Sequence, residues 1–269
     1  MLLADPRRQA DFRVNPNLCR VALRRRGPLE VFDLSLVFGH ARLRPLLLMT
    51  LLTVGPLFLL CIPLCWYFDG HPGLLAIPAV AAPFLQAPFT MLTGRLLFAD
   101  EVPLWSALKD VIKAGPQLVA AWLTELLGWM LVIASCGYGA VLVQPALLYM
   151  TETALLERVG PGRGLRRSLR LAGGHVGIAL MGAAARWVLI VWFAVVAEAS
   201  GQAIVGFILQ LGEPFGSAWQ GDVTPYLLLG LMLSQPAHAV YRLLLYVDVR
   251  TRVEGWDLQV GLRAAGLGR

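Results

Sequence analysis

Lysine is nearly missing from this chain: Lys109 and Lys113 are the only two among 23 basic residues. Arginine carries the rest of the positive charge, a habit of GC-rich bacterial genomes and not a mark of mechanism. Charge of either sign is scarce, at 15% of 269 residues against 57% hydrophobic. That excess excludes an ordinary soluble domain and points to a membrane protein. Cysteine is scarce as well. Cys19, Cys61, Cys65 and Cys136 show no secreted disulfide spacing. Cys61 and Cys65 stand one helical turn apart in an apolar run with no His or acid nearby. They read as small packing residues, with a metal or redox pair as the alternative. His40, His71, His175 and His238 are too scattered for a metal site. No HExxH, GxSxG, Asp-rich or GxxxxGK[ST] motif occurs, so neither an enzyme nor a cofactor is expected. The basic residues are spread over four segments, which argues against nucleic acid. The first 44 residues lack an apolar core, so no cleaved signal peptide is expected.

What the chain does have is long apolar runs. A bilayer core takes roughly 20 apolar residues per helix. Six stretches qualify, at about 45–68, 74–98, 116–136, 138–156, 176–198 and 223–246. Positive charge orients them. Apart from Arg186, every Lys and Arg lies before the first span, around the 2–3 and 4–5 connections, or at the end, where Arg242, Arg250, Arg252, Arg263 and Arg269 fall. The other connections carry Asp69, Glu213 and Asp222. Six spans with both termini in the cytoplasm fit, and 201–211 reads as an outer interfacial or re-entrant helix. The expected organisation is a basic cytoplasmic segment at 1–29, a six-span membrane domain at 30–247 and a cytoplasmic tail at 248–269.

A threefold pattern runs through the domain. Amphipathic stretches EVFDLSLVFGHARLRP, LWSALKDVIKAGP and GLRRSLRLAGGH precede spans 1, 3 and 5. The fold class expected is all-α integral membrane, three transmembrane hairpins each led by a cytoplasmic interfacial amphipathic helix. In the third stretch Arg163, Arg166, Arg167 and Arg170 share one face, a surface for anionic lipid headgroups at about 1 kcal/mol per residue. Leu165, Leu169 and Ala172 fall elsewhere on the wheel, so this helix is expected to lie flat on lipid.

Ionisable groups inside spans are costly and are functional candidates by default. Glu125 and Arg186 lie about 14 and 15 Å from the cytoplasmic ends of spans 3 and 5 at the helical rise. They are expected to pair. Gln86, Gln144, Gln235 and His238 also fall within spans and can bond across helices, with His238 and Gln235 the most site-like. Pro78, Pro83 and Pro88 are expected to kink span 2, a device that transporters use around substrates. The end, YVDVRTRVEGWDLQV, gathers both signs of charge. Tyr246 reads as an interfacial anchor. Asp248 with Arg252 and Arg250 with Glu254 are i,i+4 pairs, and Gly255 suits a helix end. Such pairs add only about 0.3–0.5 kcal/mol each. Part of the cluster is therefore expected to dock against the other cytoplasmic segments, for example Asp248 or Glu254 against Arg166, Arg167 or Arg170.

Three passages resemble bacterial multi-pass proteins related to the membrane domain of glycerophosphoryl diester phosphodiesterases. They are GPLEVFDLSLVFGHARLRPLLL, ALLERVGPGRGLRRSLRLAGGHVGIAL and LLLYVDVRTRVEGWDL. The second matches the family at Glu157, Arg167, Ser168 and Leu171. The third, the most specific, matches at Tyr246, Asp248, Arg250, Arg252, Glu254, Gly255, Asp257 and Leu258. The resemblance implies a six-span helical fold in the bacterial cytoplasmic membrane, without the catalytic domain that some relatives carry. The expected role is a non-enzymatic scaffold, accessory or lipid-interacting factor, with lipids and other membrane proteins as partners. The alternative is a small transporter with a polar site between spans 3 and 5.

Overall fold

The computed structural model describes residues 26–99 and 101–255. The described chain is helical: α1 (Pro28–Ala41), α2 (Leu43–Tyr67), α3 (Ala76–Leu96), α4 (Leu104–Lys113), α5 (Gly115–Ala134), α6 (Ala140–Leu147), α7 (Met150–Leu156), α8 (Pro161–Gly173), α9 (Val176–Gln202) and α10 (Pro225–Glu254). A 3-10 turn, Pro72–Leu75, leads into α3, and a π turn, Ala203–Ile208, extends α9. Pro83 and Pro88 lie inside α3 without interrupting it.

Four helical stretches are long and apolar enough to cross a membrane: Leu43–Tyr67, Pro72–Leu96, Gly115–Ala134 and Val176–Ile208. The remaining two apolar runs are built differently. The run 140–156 breaks between α6 and α7. Pro145 lies near the break and has no N–H to continue the ladder. Ser168 of α8 serves the backbone there. Its hydroxyl donates to the Ala146 carbonyl at 2.6 Å and accepts from the Tyr149 N–H at 3.3 Å. Irregular backbone inside an apolar bundle needs internal partners of this kind.

Helix α10 is the hub. It packs against α9, α3, α2 and α1, and at 30 residues is about 45 Å long. Ser234, Gln235, His238, Arg242, Asp248 and Thr251 are all buried on it. These side chains depress its mean hydropathy, yet they face protein. The α9–α10 contact is close because it is lined by small residues. A Cβ added at Gly230 would collide with the backbone of Phe193 and Ala194, and one at Gly201 with the Tyr226 ring. Small residues let helices approach where apolar burial alone gives no drive.

Short helices α1, α4 and α8 precede α2, α5 and α9. Helices α4 and α8 are strongly two-faced. Helix α1 is only weakly two-faced: Val31 and Phe38 are buried, and the exposed side mixes Glu30, Asp33 and His40 with Leu29, Leu36 and Val37. On helix α8, Gly164, Ser168, Leu171 and Ala172 form the face buried against the bundle, while Leu169 is exposed.

Candidate functional site

Intrahelical spacing sets which polar groups reach the bundle interior, and neighbouring helices set their partners. On α5, Glu125 Oε1 accepts from Thr151 Oγ1 of α7 at 2.9 Å. On α9, the Arg186 guanidinium stands 5.9 Å from the centre of the Trp129 ring, within cation–π range. The expected direct Glu125–Arg186 ion pair is therefore corrected: each has another partner and no N···O contact within 4 Å joins them. Arg186 reaches α5 at Trp129, one turn from Glu125, and the two charges line one small void instead of meeting directly.

The tightest buried ion pair comes from other helices. Arg242 Nε of α10 donates to Glu152 Oε1 of α7 at 2.5 Å, with side chains 3% and 0% exposed. Arg242 Nη2 and Glu152 Oε2 are buried without a partner. One turn earlier on α10, His238 is buried with neither ring nitrogen bonded. The amides act as cross-helix clamps. Gln86 Nε2 of α3 donates to Gln235 Oε1 of α10 at 2.6 Å. Gln235 Nε2 in turn donates to the Leu231 carbonyl and the Ser234 hydroxyl, each at 2.9 Å. Gln144 Oε1 of α6 accepts from Trp187 Nε1 of α9 at 3.0 Å.

Two voids meet at these charges. A small one of about 30 Å³ is lined by Glu125, Gln144, Arg186 and Arg242. That is room for a water with several polar partners. A groove of about 410 Å³ runs between α3, α5, α9 and α10. Its walls include Pro78, Pro83, Trp122, Trp129 and Trp187, and Glu125, Arg186 and Gln235 bring polar groups to it. Such a space, apolar with a few convergent polar groups, has the character of a ligand site.

The charged end of α10 is held by long-range contacts. Glu157 Oε1 accepts from the Tyr246 hydroxyl at 2.5 Å and from Arg167 Nη2 at 3.1 Å, with Arg250 Nη1 at 3.9 Å. Asp248 accepts from the Arg26 N–H at 2.8 Å and from Arg252 Nε at 2.7 Å, while Arg252 also bonds the Arg26 carbonyl. The cluster thus contacts other segments of the chain, and only the α8 partner suggested for Asp248 is corrected. Asp248 holds the segment before α1, and Glu157 holds α8. Arg167 turns into that contact and leaves the shared arginine face, where Arg163, Arg166 and Arg170 remain exposed. Tyr246 is buried, not an interfacial anchor. Gly255 ends α10 with φ 59°, a left-handed cap that glycine adopts freely. Asp257 and the side chain of Glu254 lie outside the described residues.

At the opposite end of α10, Glu198 of α9 is buried. It accepts from the Ala218 N–H at 3.0 Å, from Gln202 Nε2 at 3.1 Å and from the Thr224 hydroxyl. The Val223 N–H donates to the Gly70 carbonyl at 2.8 Å, which ties the α2–α3 link to the start of α10. Sequence reasoning missed Glu152, Arg242 and Glu198. Its sequence position groups Arg242 with the terminal positive charges. Its place four residues inside the sixth apolar run, and that of Glu152 inside the fourth, was the signal that could have found them. Comparison with protein-family models, with curated proteins and with solved structures finds no match for this chain.

Proposed function

We propose that this is a non-enzymatic membrane protein that binds an amphipathic, lipid-like molecule in the groove between α3, α5, α9 and α10. The observation that carries the reading is the groove itself. About 410 Å³ of mostly apolar and aromatic wall reaches a carboxylate, a guanidinium and an amide. An acyl chain suits the walls, and an acidic group suits Arg186, which has no hydrogen-bond acceptor among the described residues. In this reading the chain crosses the membrane six times, with α6–α7 and α10 as the fourth and sixth spans. The three hairpins are then led by α1, α4 and α8. The arginine distribution supports cytoplasmic termini. The likeness of three passages to glycerophosphoryl diester phosphodiesterase membrane domains supports the bacterial cytoplasmic membrane. The test is native mass spectrometry of the chain purified with its lipids. Ala79→Trp, which narrows the groove, should lose an amphipath that the wild type retains. An identical lipid complement in both would refute the reading.

A small transporter is the second reading, favoured by one observation. The pair Glu152–Arg242 lies behind the Glu125–Arg186 groove across a water-sized void, so the polar track extends beyond a single pair. Arg186→Cys in a background without the native cysteines tests it. Labelling by polar thiol reagents from both faces of sealed vesicles supports transport, and labelling from neither face excludes it.

A further inference from the structure

A second cavity lies where α1, α2, α9 and α10 meet, and its volume is about 400 Å³. Helices α2 and α9 both pack on α10 but hardly on each other, which leaves a cleft between them roofed by α1. Small residues keep it open. Gly39 of α1 lines it, and a Cβ there would meet nothing within 4 Å; Ala237 of α10 lines it too. The hydroxyls in its wall are spent on their own helices. Ser35 Oγ donates to the Phe32 carbonyl at 2.6 Å and Thr50 Oγ1 to the Leu46 carbonyl at 2.9 Å. The cleft therefore offers little to an extended peptide, whose backbone would arrive unpaired. It suits a hydrocarbon chain.

The rim supplies the other half of the argument. His40 lines the cavity at the end of α1, and Arg44 is exposed beside the wall residue Leu43. The outward side of α1 mixes Leu36 and Val37 with Glu30, Asp33 and His40, the composition of a helix at the boundary between acyl chains and headgroups. We infer that this cleft holds one acyl chain of an anionic phospholipid, with the headgroup against Arg44 and His40. The inference rests on the reading of the chain as lipid-embedded, and stands apart from the Glu125–Arg186 groove.

Native mass spectrometry of the full chain in detergent, supplied with phosphatidylglycerol or phosphatidylcholine of equal chain length, tests it. The wild type should retain phosphatidylglycerol about five-fold better, as one arginine at a lipid surface implies. Gly39→Trp and Ala237→Trp should each remove one retained phosphatidylglycerol. Arg44→Gln should keep retention and lose the preference. Ala79→Trp, which narrows the other groove, should leave that phosphatidylglycerol and its preference in place, whatever lipid the other groove sheds. Equal retention of the two lipids by wild type, or wild-type retention by both filled variants, overturns the proposal. Loss in Ala79→Trp with retention in Gly39→Trp would overturn it in favour of the first groove. A phosphatidylglycerol with a photoactivatable chain gives an independent readout where a variant misfolds. Cross-links should fall on residues 43–50 and around Ala237, and cross-links confined elsewhere count against the site.

Discussion

The pair Glu152–Arg242 makes the sharpest energetic claim. Both side chains are almost wholly buried and joined at 2.5 Å, so removing either partner leaves the other charge without compensation. Arg242→Met keeps most of the aliphatic stem and removes only the guanidinium. The expected loss is about 3–5 kcal/mol, the range for breaking a buried pair from one side. Glu152→Leu should cost a similar amount. The double variant should behave quite differently. Glu152 Oε2 and Arg242 Nη2 are already unpartnered, so the native pair is incompletely satisfied. Replacing both with apolar groups of similar volume should return most of the stability, to within about 1 kcal/mol of wild type or above it. Reversible unfolding by SDS in mixed micelles, run as a double-mutant cycle, measures all four corners. A single Arg242→Met loss below about 1 kcal/mol would refute the reasoning. So would a double variant as unstable as the sum of the singles.

Ser168→Ala should cost about 1–3 kcal/mol, because it orphans the Ala146 carbonyl and the Tyr149 N–H at once; an unchanged unfolding midpoint would deny its role in the α6–α7 break. Gly230→Ala should cost about 1–3 kcal/mol by overpacking α9 against α10. Gly177→Ala, where a Cβ meets open space, is the matched control for which no comparable loss is expected. Glu198→Ala should raise hydrogen exchange at the Ala218 amide at least about ten-fold, which corresponds to about 1.4 kcal/mol of lost protection; unchanged exchange would show that the carboxylate does not hold this loop. Arg186→Met should destabilise the same unfolding transition by less than half as much as Arg242→Met, since Arg186 makes a ring contact and no ion pair. An equal or larger loss would make Arg186 a packing residue rather than a lining residue of the groove.

Helices that face lipid on much of their surface were legible in the sequence, because their exposed side chains must be apolar. Helices α2, α5 and α9 expose Leu51, Leu127 and Trp192 and read as unbroken apolar runs. Depth was legible too: counting residues from a span end places Glu125 and Arg186 at one level. Rotation about the bundle was not. Periodicity gives a helix its faces but does not say that Arg186 meets the Trp129 ring and Glu125 the Thr151 hydroxyl, which leaves the two charges across a void. Arg242 shows a further limit. An arginine four residues from the end of an apolar run can snorkel to the surface or be buried, and only the neighbour decides. Here α7 supplies Glu152, and Arg242 stays inside. At the charged end, Asp248–Arg252 follows from spacing along one helix. The Asp248 contact to Arg26 joins residues 222 positions apart, and no local pattern announces it.

The polar side chains of α10 divide by what they touch. Gln235 takes Gln86 on α3, Arg242 takes Glu152 on α7, and Tyr246 takes Glu157 in the α7–α8 link. Asp248 takes the backbone before α1. Each contact meets a different neighbour at a successive height on one helix, so together they fix rotation and register around the hub. Apolar packing alone discriminates poorly between rotations when lipid is as apolar as the helices. Buried polar pairs are expensive, and their best-attested use is to select one arrangement among many. Arg186 lies outside this scheme, since among the described residues it stacks on the Trp129 ring without a hydrogen bond and its charge fronts both voids. Glu125 is held by a single threonine and fronts the same two spaces. In the proposed reading, charges that the architecture does not use to align helices, yet keeps within the bundle, are those that meet a ligand. On that ground Arg186 and Glu125, rather than the stronger pair Glu152–Arg242, are the residues to which a binding role is assigned.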